Sequence, residues 1–181
     1  MKWLKWVFIV PAALLVLVFG ILLVLSNLPG AGKLHASVEI AASPQQIWPF
    51  LNEGDKLKQW VSWLAEVKQT EPRGPGASQT WVMHDANNGN AAMSIDSRCT
   101  EYTPPTRLSV VVNTPHEFDG SQTYALKDLG NNHTRLEIDG DYHFTQWFAS
   151  LMTPLIMPAA AKKMEGDIAT LKRLVENEGR S

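Results

Sequence analysis

The feature that most constrains this chain is an uninterrupted apolar stretch close to its amino terminus. Residues 6–28 carry no charge and are long enough to cross a bilayer core of roughly 30 Å at about 1.5 Å per helical residue. Pro11 and Gly20 lie within the stretch, but both residue types are tolerated in membrane helices. The alternative is a cleaved signal peptide, whose apolar core normally spans roughly 7 to 15 residues, fewer than the run at 7–25. We therefore predict a single retained transmembrane helix.

The charges on either side of this helix predict its orientation. Lys2 and Lys5 precede the apolar stretch, whereas Lys33 alone follows it closely. Lysine and arginine are enriched on the cytoplasmic side of membrane helices. We expect a single-pass protein with a cytoplasmic amino terminus and with the rest of the chain on the outer, periplasmic or extracellular, side.

The remainder of the chain has the composition of one globular domain. Gly30 and Gly32 indicate a short flexible joint, so we divide the chain into an anchor with its linker, residues 1–32, and a domain, residues 33–181. The domain holds 14 basic and 18 acidic residues, a net charge of -4. Because nucleic-acid binding requires a basic surface that replaces the counterions of phosphate, we predict no nucleic-acid partner.

The cysteine and histidine content argues against a metal centre. Cys99 is the single cysteine, which excludes an internal disulfide and a zinc site built on a cysteine pair. The five histidines show none of the spacings of zinc-binding helices. We therefore predict no metal site and no cofactor.

The domain begins with the pattern of one strand and two short helices. Residues 35–41 alternate apolar and polar side chains, as in a half-buried strand. Ser43, Pro44 and Gln46 then have the spacing of a capping box with proline at the first helical position. Asp55 can cap a second short helix that continues to residue 61.

The middle of the domain has the pattern of an antiparallel meander. Apolar and polar residues alternate between turns rich in Pro, Gly and Asn, which predicts strands at 64–71, 78–85, 91–102, 107–113, 117–128 and 133–144. In the last strand Leu136, Ile138 and Tyr142 share the covered face. Gly140 falls on that same face and indicates a bulge or a close approach by another element.

The carboxy-terminal segment returns to a helical period. Met164, Ile168 and Leu171 recur at intervals of four and three, typical of an amphipathic helix that packs against a sheet. Pro154 and Pro158 are expected to kink or divide the approach, leaving a regular helix from about residue 159 to 177.

Two segments resemble a known superfamily. The opening ASVEIAASPQQIWPFLNEGDKLKQWVSWL and the closing MEGDIATLKRLVENE are similar to the START-like, or SRPBCC, proteins, which include polyketide cyclase/dehydrase-like and lipid-transfer proteins. The resemblance covers residues 34–178. It implies the α+β helix-grip fold: a curved antiparallel sheet of six to seven strands wrapped around a long carboxy-terminal helix, with two short helices after the first strand. The transmembrane helix is an addition to that plan.

A curved sheet closed by one helix leaves a cavity lined by inward side chains. The predicted ligand-binding residues are apolar or aromatic side chains of the strands and of the last helix: Trp81, Met83, Met93, Ile95, Val110, Tyr124, Ile138, Tyr142, Met157 and Met164. Such side chains adapt to irregular apolar ligands, but they also fill ordinary cores. Trp48 and Trp60 are interpreted as packing anchors.

The inward face offers few groups for catalysis, so no catalytic residue is predicted. His84 alternates with Trp81 and Met83 and should point outward, and Cys99 reads as a small buried hydrophobe. Three functions remain: a membrane-anchored domain that binds a lipid or another small hydrophobic molecule, a cyclase/dehydrase-type enzyme that uses a cavity tyrosine or histidine on a polyketide-like substrate, and an interaction module with a filled core.

Overall fold

A computed structural model of the chain describes residues 2–69, 74–85 and 91–179, and it has the predicted α+β architecture. The helices and strands, numbered in chain order, are α1 (Lys2–Ser26), β1 (Lys33–Ile40), α2 (Pro44–Asn52), α3 (Gly54–Leu57), β2 (Leu64–Gln69), β3 (Ser78–Asp85), β4 (Ala91–Thr103), β5 (Arg107–Thr114), β6 (Phe118–Gly130), β7 (His133–Phe144), α4 (Trp147–Leu151) and α5 (Thr153–Glu178). The predicted end of β2 at 70–71 lies outside the described residues.

One seven-stranded antiparallel sheet organises the domain. Its order is β1-β7-β6-β5-β4-β3-β2, so consecutive strands are neighbours except that β1 returns to pair with β7. Residues alternate between an inner face, which the helices cover, and an outer face. On the outer face Glu39 of β1 stands opposite Arg135 of β7, with 2.7 Å between the carboxylate and the guanidinium.

The core lies between the inner face of the sheet and the helices α2, α3 and α5. Ile40, Leu136, Ile138 and Leu171 are completely buried there. Trp60 is also buried, and its indole N–H donates to the carbonyl of Phe50 at 2.8 Å. Trp48 is buried and meets Tyr102 edge-to-face, with 5.5 Å between ring centroids. Both tryptophans are therefore packing anchors, as predicted.

The start of α2 agrees with the sequence-based prediction, but the length and the cap of α3 do not. The side-chain carbonyl of Gln46 accepts a hydrogen bond from the backbone N–H of Ser43 at 2.9 Å, as a capping box requires. The second helix is a single turn that ends at Leu57, and Asp55 lies inside it rather than at its cap. Asp55 instead pairs with Lys58, 2.8 Å away, because both project from the same turn.

The prolines of α5 do not divide it, contrary to the sequence-based expectation. The helix runs without a break from Thr153 to Glu178. Pro154 occupies one of the first helical positions, where the backbone N–H has no intrahelical partner. Pro158 removes only one further hydrogen bond, and the alanines at 159–161 that follow it are strong helix formers.

The helix α1 is long and apolar enough to cross a membrane by length and composition, criteria that signal sequences also meet.

The connection to β1 is ordered rather than loose. Ala31 and Lys33 donate backbone hydrogen bonds to Leu28 and Gly30, so two turns follow one another. The carbonyl of Gly32 accepts from the N–H of Tyr142 at 3.0 Å, which fixes the connection to β7. A Cβ at Gly32 would lie 1.9 Å from the Tyr142 carbonyl oxygen, so only glycine allows this approach.

Candidate functional site

The candidate site is the inner face of the sheet, where apolar side chains surround a small polar group. Leu108 and Val110 on β5 and Ile138 on β7 are buried and supply apolar surface on either side of β6. Gln122 and Tyr124 are buried on β6 among them. Among the described residues, every buried polar side chain is uncharged.

The polar group is centred on Gln122. The Tyr142 hydroxyl donates a hydrogen bond to the side-chain carbonyl of Gln122, with 3.1 Å between the oxygens. The ring of Tyr142 lies over Gly140 and Gly120, where added Cβ atoms would come within 2.5 Å and 2.8 Å of it. The close approach at Gly140 is therefore made by a side chain of the same strand and not by another element, as the sequence had suggested.

The hydroxyl and thiol groups of this interior remain protonated at neutral pH. Burial raises the pKa of Tyr142 to about 12. Burial, together with the neighbouring Tyr142, also raises the pKa of Tyr124, against the hydrogen bond from Gln122. Desolvation raises the pKa of the Cys99 thiol as well. These groups can donate hydrogen bonds to a bound molecule, but they are poor bases and poor nucleophiles.

A cavity of about 30 Å³ remains inside the domain. It is bounded by β3 to β6 and by the end of α2, and its lining residues are Leu51, Asn52, Gly74, Ala77, Gln79, Trp81, Ser97, Cys99, Tyr102, Leu108, Val110 and Tyr124. A cavity of this size has room for about one water molecule. The interior of the described structure is therefore almost filled by its own side chains.

The structure distributes the ten predicted ligand-binding residues over three environments. Trp81, Val110 and Tyr124 line the cavity. Met83, Ile95 and Ile138 are buried in the same core, and Met93, Tyr142 and Met164 are half-buried against it. Met157 is buried outside this core cluster. All ten face the interior or its edge, and their role in ligand binding stays a prediction.

Sequence reasoning missed the part of the lining that α2 and Tyr102 provide. The β4 register shifts between Cys99 and Glu101, where a bulge inserts one residue. This shift turns Tyr102 toward Trp48 and the cavity, whereas strict alternation from Cys99 would turn it outward. The inward position of Gln122 could have been predicted, because Gln122 precedes Tyr124 and Leu126 at the two-residue spacing of a covered strand face.

The outer face of the sheet carries an open trough of about 780 Å³. Its charged and titratable lining residues are Asp96, Arg98, Asp119, Asp141 and His143. Asp141 is half-buried, and the other four are exposed. The His143 ring nitrogens lie 3.8 Å from the Asp119 carboxylate and 4.0 Å from that of Asp141, beyond hydrogen-bond distance. Across the described residues, no three His, Cys, Asp or Glu side chains are grouped so as to hold a metal ion.

The architecture defines a helix-grip domain with an apolar interior. The family model described as "Polyketide cyclase / dehydrase and lipid transport" matches residues 31–176. The chain therefore belongs to the polyketide cyclase/dehydrase and lipid transport family. A comparison with curated protein sequences finds no significant match.

Solved bacterial structures share the fold at low sequence identity. A conserved protein from Geobacillus kaustophilus has a TM-score of 0.66 and 11% identity, over 80% of this chain and 95% of its own. A protein from Chromobacterium violaceum has a TM-score of 0.64 and 16% identity, over 80% and 98%. A protein from Rhodobacter sphaeroides has a TM-score of 0.63 and 21% identity, over 80% and 92%. These likenesses establish the fold alone.

Proposed function

We propose that this chain is a membrane-anchored domain that binds a lipid or another small hydrophobic molecule between the inner face of its sheet and its helices. The observation that carries the proposal is the composition of the interior. Apolar side chains surround uncharged hydrogen-bonding groups, among them Gln122 with Tyr124 and Tyr142. Such an interior suits a molecule that is mostly apolar and has one polar end. The family to which the chain belongs includes lipid transport in its description.

Binding requires the interior to expand. The observed space of about 30 Å³ is far below the roughly 300 Å³ or more of ordinary ligand pockets, so a ligand must displace side chains that now fill it. Met83 belongs to the core cluster that contains the cavity, Met93 and Met164 pack against that cluster, and methionine changes rotamer at low cost. We expect these side chains and the neighbouring end of α2 to move apart when the site is occupied.

The polar group gives the ligand an orientation. The hydroxyls of Tyr124 and Tyr142 stay protonated, so either can donate a hydrogen bond to a carbonyl or carboxylate oxygen of the ligand. Tyr142 now donates to Gln122, and a ligand oxygen would compete for that proton. The polar end of the ligand is accordingly expected beside Gln122.

The anchor keeps this domain at the source of its ligand. We propose that α1 spans the membrane, with residues 1–32 as anchor and linker and residues 33–181 as the binding domain on the outer side. The apolar run at Ile9–Ser26 and the two lysines that precede it support this assignment. Tethering raises the local concentration of the domain at the bilayer without any new contact.

Native mass spectrometry of the full chain, released from detergent and followed by solvent extraction, tests the interior site. Val110 is 7% exposed and lines the cavity, whereas its neighbour Val111 is 42% exposed on the outer face. Val110→Trp should abolish the bound hydrophobic mass because the indole fills the site. Val111→Trp should retain it. Lipid that adheres to α1 contributes equally to all three proteins.

Circular dichroism must first show that both variants are folded. Equal occupancy in both variants would contradict an interior site. Loss of the bound hydrophobic mass in Val111→Trp alone would place the ligand in the outer trough. Conversion of an added polyketide-like molecule into a product of different mass by the natural protein would instead favour the enzyme alternative.

A further inference from the structure

Three large apolar side chains are exposed next to the junction of the domain with α1. Trp147 and Phe148 in α4 are 74% and 57% exposed, and Leu155 in the first turn of α5 is 56% exposed. The rings of Trp147 and Phe148 meet edge-to-face with centroids 5.7 Å apart, so they form one surface. We call these three side chains the apolar patch. No residue from 144 to 161 is charged.

Side-chain contacts of α4 and of the residues beside it keep the apolar patch exposed. Leu151, at the end of α4, is buried beneath it. The Thr153 hydroxyl donates to the carbonyl of Ser150 at 2.7 Å, and the Gln146 side chain donates to the carbonyl of His116 at 3.1 Å. Both ends of α4 are therefore fixed, and the exposure of the patch follows from the fold rather than from a loose segment.

The apolar patch lies beside the last turns of α1. The helix α1 contacts both α4 and α5. Among the described side chains of α1, at 9–26, only Leu22 and Ser26 are partly covered, and their spacing of four residues puts them on one helical face. The other described apolar side chains of α1 are exposed.

We propose that α4 and the first turn of α5 form a second membrane contact, in which Trp147, Phe148 and Leu155 enter the lipid interface beside α1. This inference rests on the proposed anchoring by α1. Tryptophan and other aromatic side chains prefer the boundary between headgroups and acyl chains, and an uncharged segment loses no ionic hydration there. A bilayer around the exposed apolar surface of α1 would lie next to α4 and α5, which α1 contacts, and this proximity is the reason for naming lipid as the occupant of the patch.

Site-directed fluorescence in vesicles tests this contact on the full chain. In a Cys99→Ala background, single cysteines replace Phe148 in α4 and Leu155 in α5 and carry an environment-sensitive fluorophore. Phe19→Cys reports on α1, and Lys127→Cys is the aqueous control because Lys127 is exposed on β6. The proteins are reconstituted at low density in phosphatidylcholine and phosphatidylglycerol, with lipids that carry a nitroxide near the headgroup or near the chain end.

We expect labels at 148 and 155 to shift their emission to the blue and to lose fluorescence with the headgroup-proximal nitroxide, while the label at 127 is unaffected. Quenching at 19 with water-like emission at 148 and 155 would overturn the second contact and leave the anchor intact. Water-like emission at 19 would overturn the anchor and with it this inference. Blue-shifted labels at 148 and 155 that no nitroxide quenches would show that a second copy of the chain covers the patch, which also overturns it.

Discussion

At the scale of single residues, Gly140 interrupts the apolar face of β7 at the place where the ring of Tyr142 lies. Replacing glycine in a strand by alanine ordinarily stabilises a protein because the unfolded chain loses freedom. Here the added Cβ would lie 2.5 Å from the Tyr142 ring. We expect Gly140→Ala to lower the free energy of unfolding by about 1–3 kcal/mol, the usual cost of overpacking, as measured by urea denaturation in detergent.

A double-mutant cycle identifies the cause of that loss. In a Tyr142→Ala background the ring is absent, so Gly140→Ala should cost little. An equal penalty in both backgrounds would show that something other than the ring excludes a side chain at this position.

The same substitution should have opposite signs at two other glycines. Gly166 lies inside α5 with nothing within 4 Å of an added Cβ, so Gly166→Ala should stabilise the protein by about 0.5–1 kcal/mol. Gly130 has equal space but a φ of +80°, so Gly130→Ala should destabilise it by about 1–2 kcal/mol. Thermal unfolding followed by circular dichroism measures both. A stabilising Gly130→Ala would mean that the turn after β6 relaxes to a different backbone conformation.

At the scale of secondary structure, we expect the ion pair of Glu39 and Arg135, which joins β1 to β7, to depend on pH. The hydrogen bond from Arg135, and then its charge, lower the pKa of the Glu39 carboxylate. A lowered pKa in the folded state contributes stability above the ordinary glutamate pKa, and that contribution is lost as the pH falls through the lowered value. We expect Glu39→Gln to unfold at a slightly lower temperature than the natural protein at neutral pH.

The difference in unfolding temperature should vanish in acid. Both proteins then carry an uncharged side chain at position 39. A difference that is unchanged at every pH down to about 2, where an ordinary glutamate is fully protonated, would show that packing rather than charge explains the effect.

Most element boundaries could be predicted from sequence because their signals are local. Alternation and turn residues place all seven strands within about two residues of their observed ends in the described chain. Features that depend on tertiary contacts could not be predicted. The bulge after Cys99 changes which residues of β4 face inward, and α5 continues through Pro158 with buried residues on both sides of it, Met157 and Ile168. The cavity lies against the end of α2, whereas the lining predicted from sequence came from the strands and the last helix only.

At the scale of the whole molecule, the core and the anchor are separate. Every member of the main core cluster in the described structure lies between Ala36 and Val175, so α1 contributes none of them. We therefore expect a fragment of residues 33–181 to fold without α1, with a near-ultraviolet circular dichroism spectrum like that of the full chain. Loss of that signal would show that α1 is part of the folding unit.

The same fragment separates the two proposed membrane contacts. Without α1 it should remain largely in the supernatant when vesicles are sedimented, with a minor bound fraction. Trp147→Ser should reduce that fraction, since the exposed indole is removed. Thr170→Ser is the comparison. Thr170 is half-buried and lies in the second half of α5, away from Leu155, so this change should leave vesicle binding unchanged.

The ordered connection between α1 and β1 determines how far the domain can travel. Six residues, 27–32, separate the two elements, and even a fully extended chain of that length spans only about 20 Å. The hydrogen bond from Tyr142 to Gly32 shortens this reach further. With α1 in a bilayer, the domain cannot ferry a molecule across an aqueous gap to another membrane. On the proposed function, the domain searches in two dimensions, and a bound molecule would leave it only by passing to a neighbour in the same membrane or to a carrier that comes to its surface.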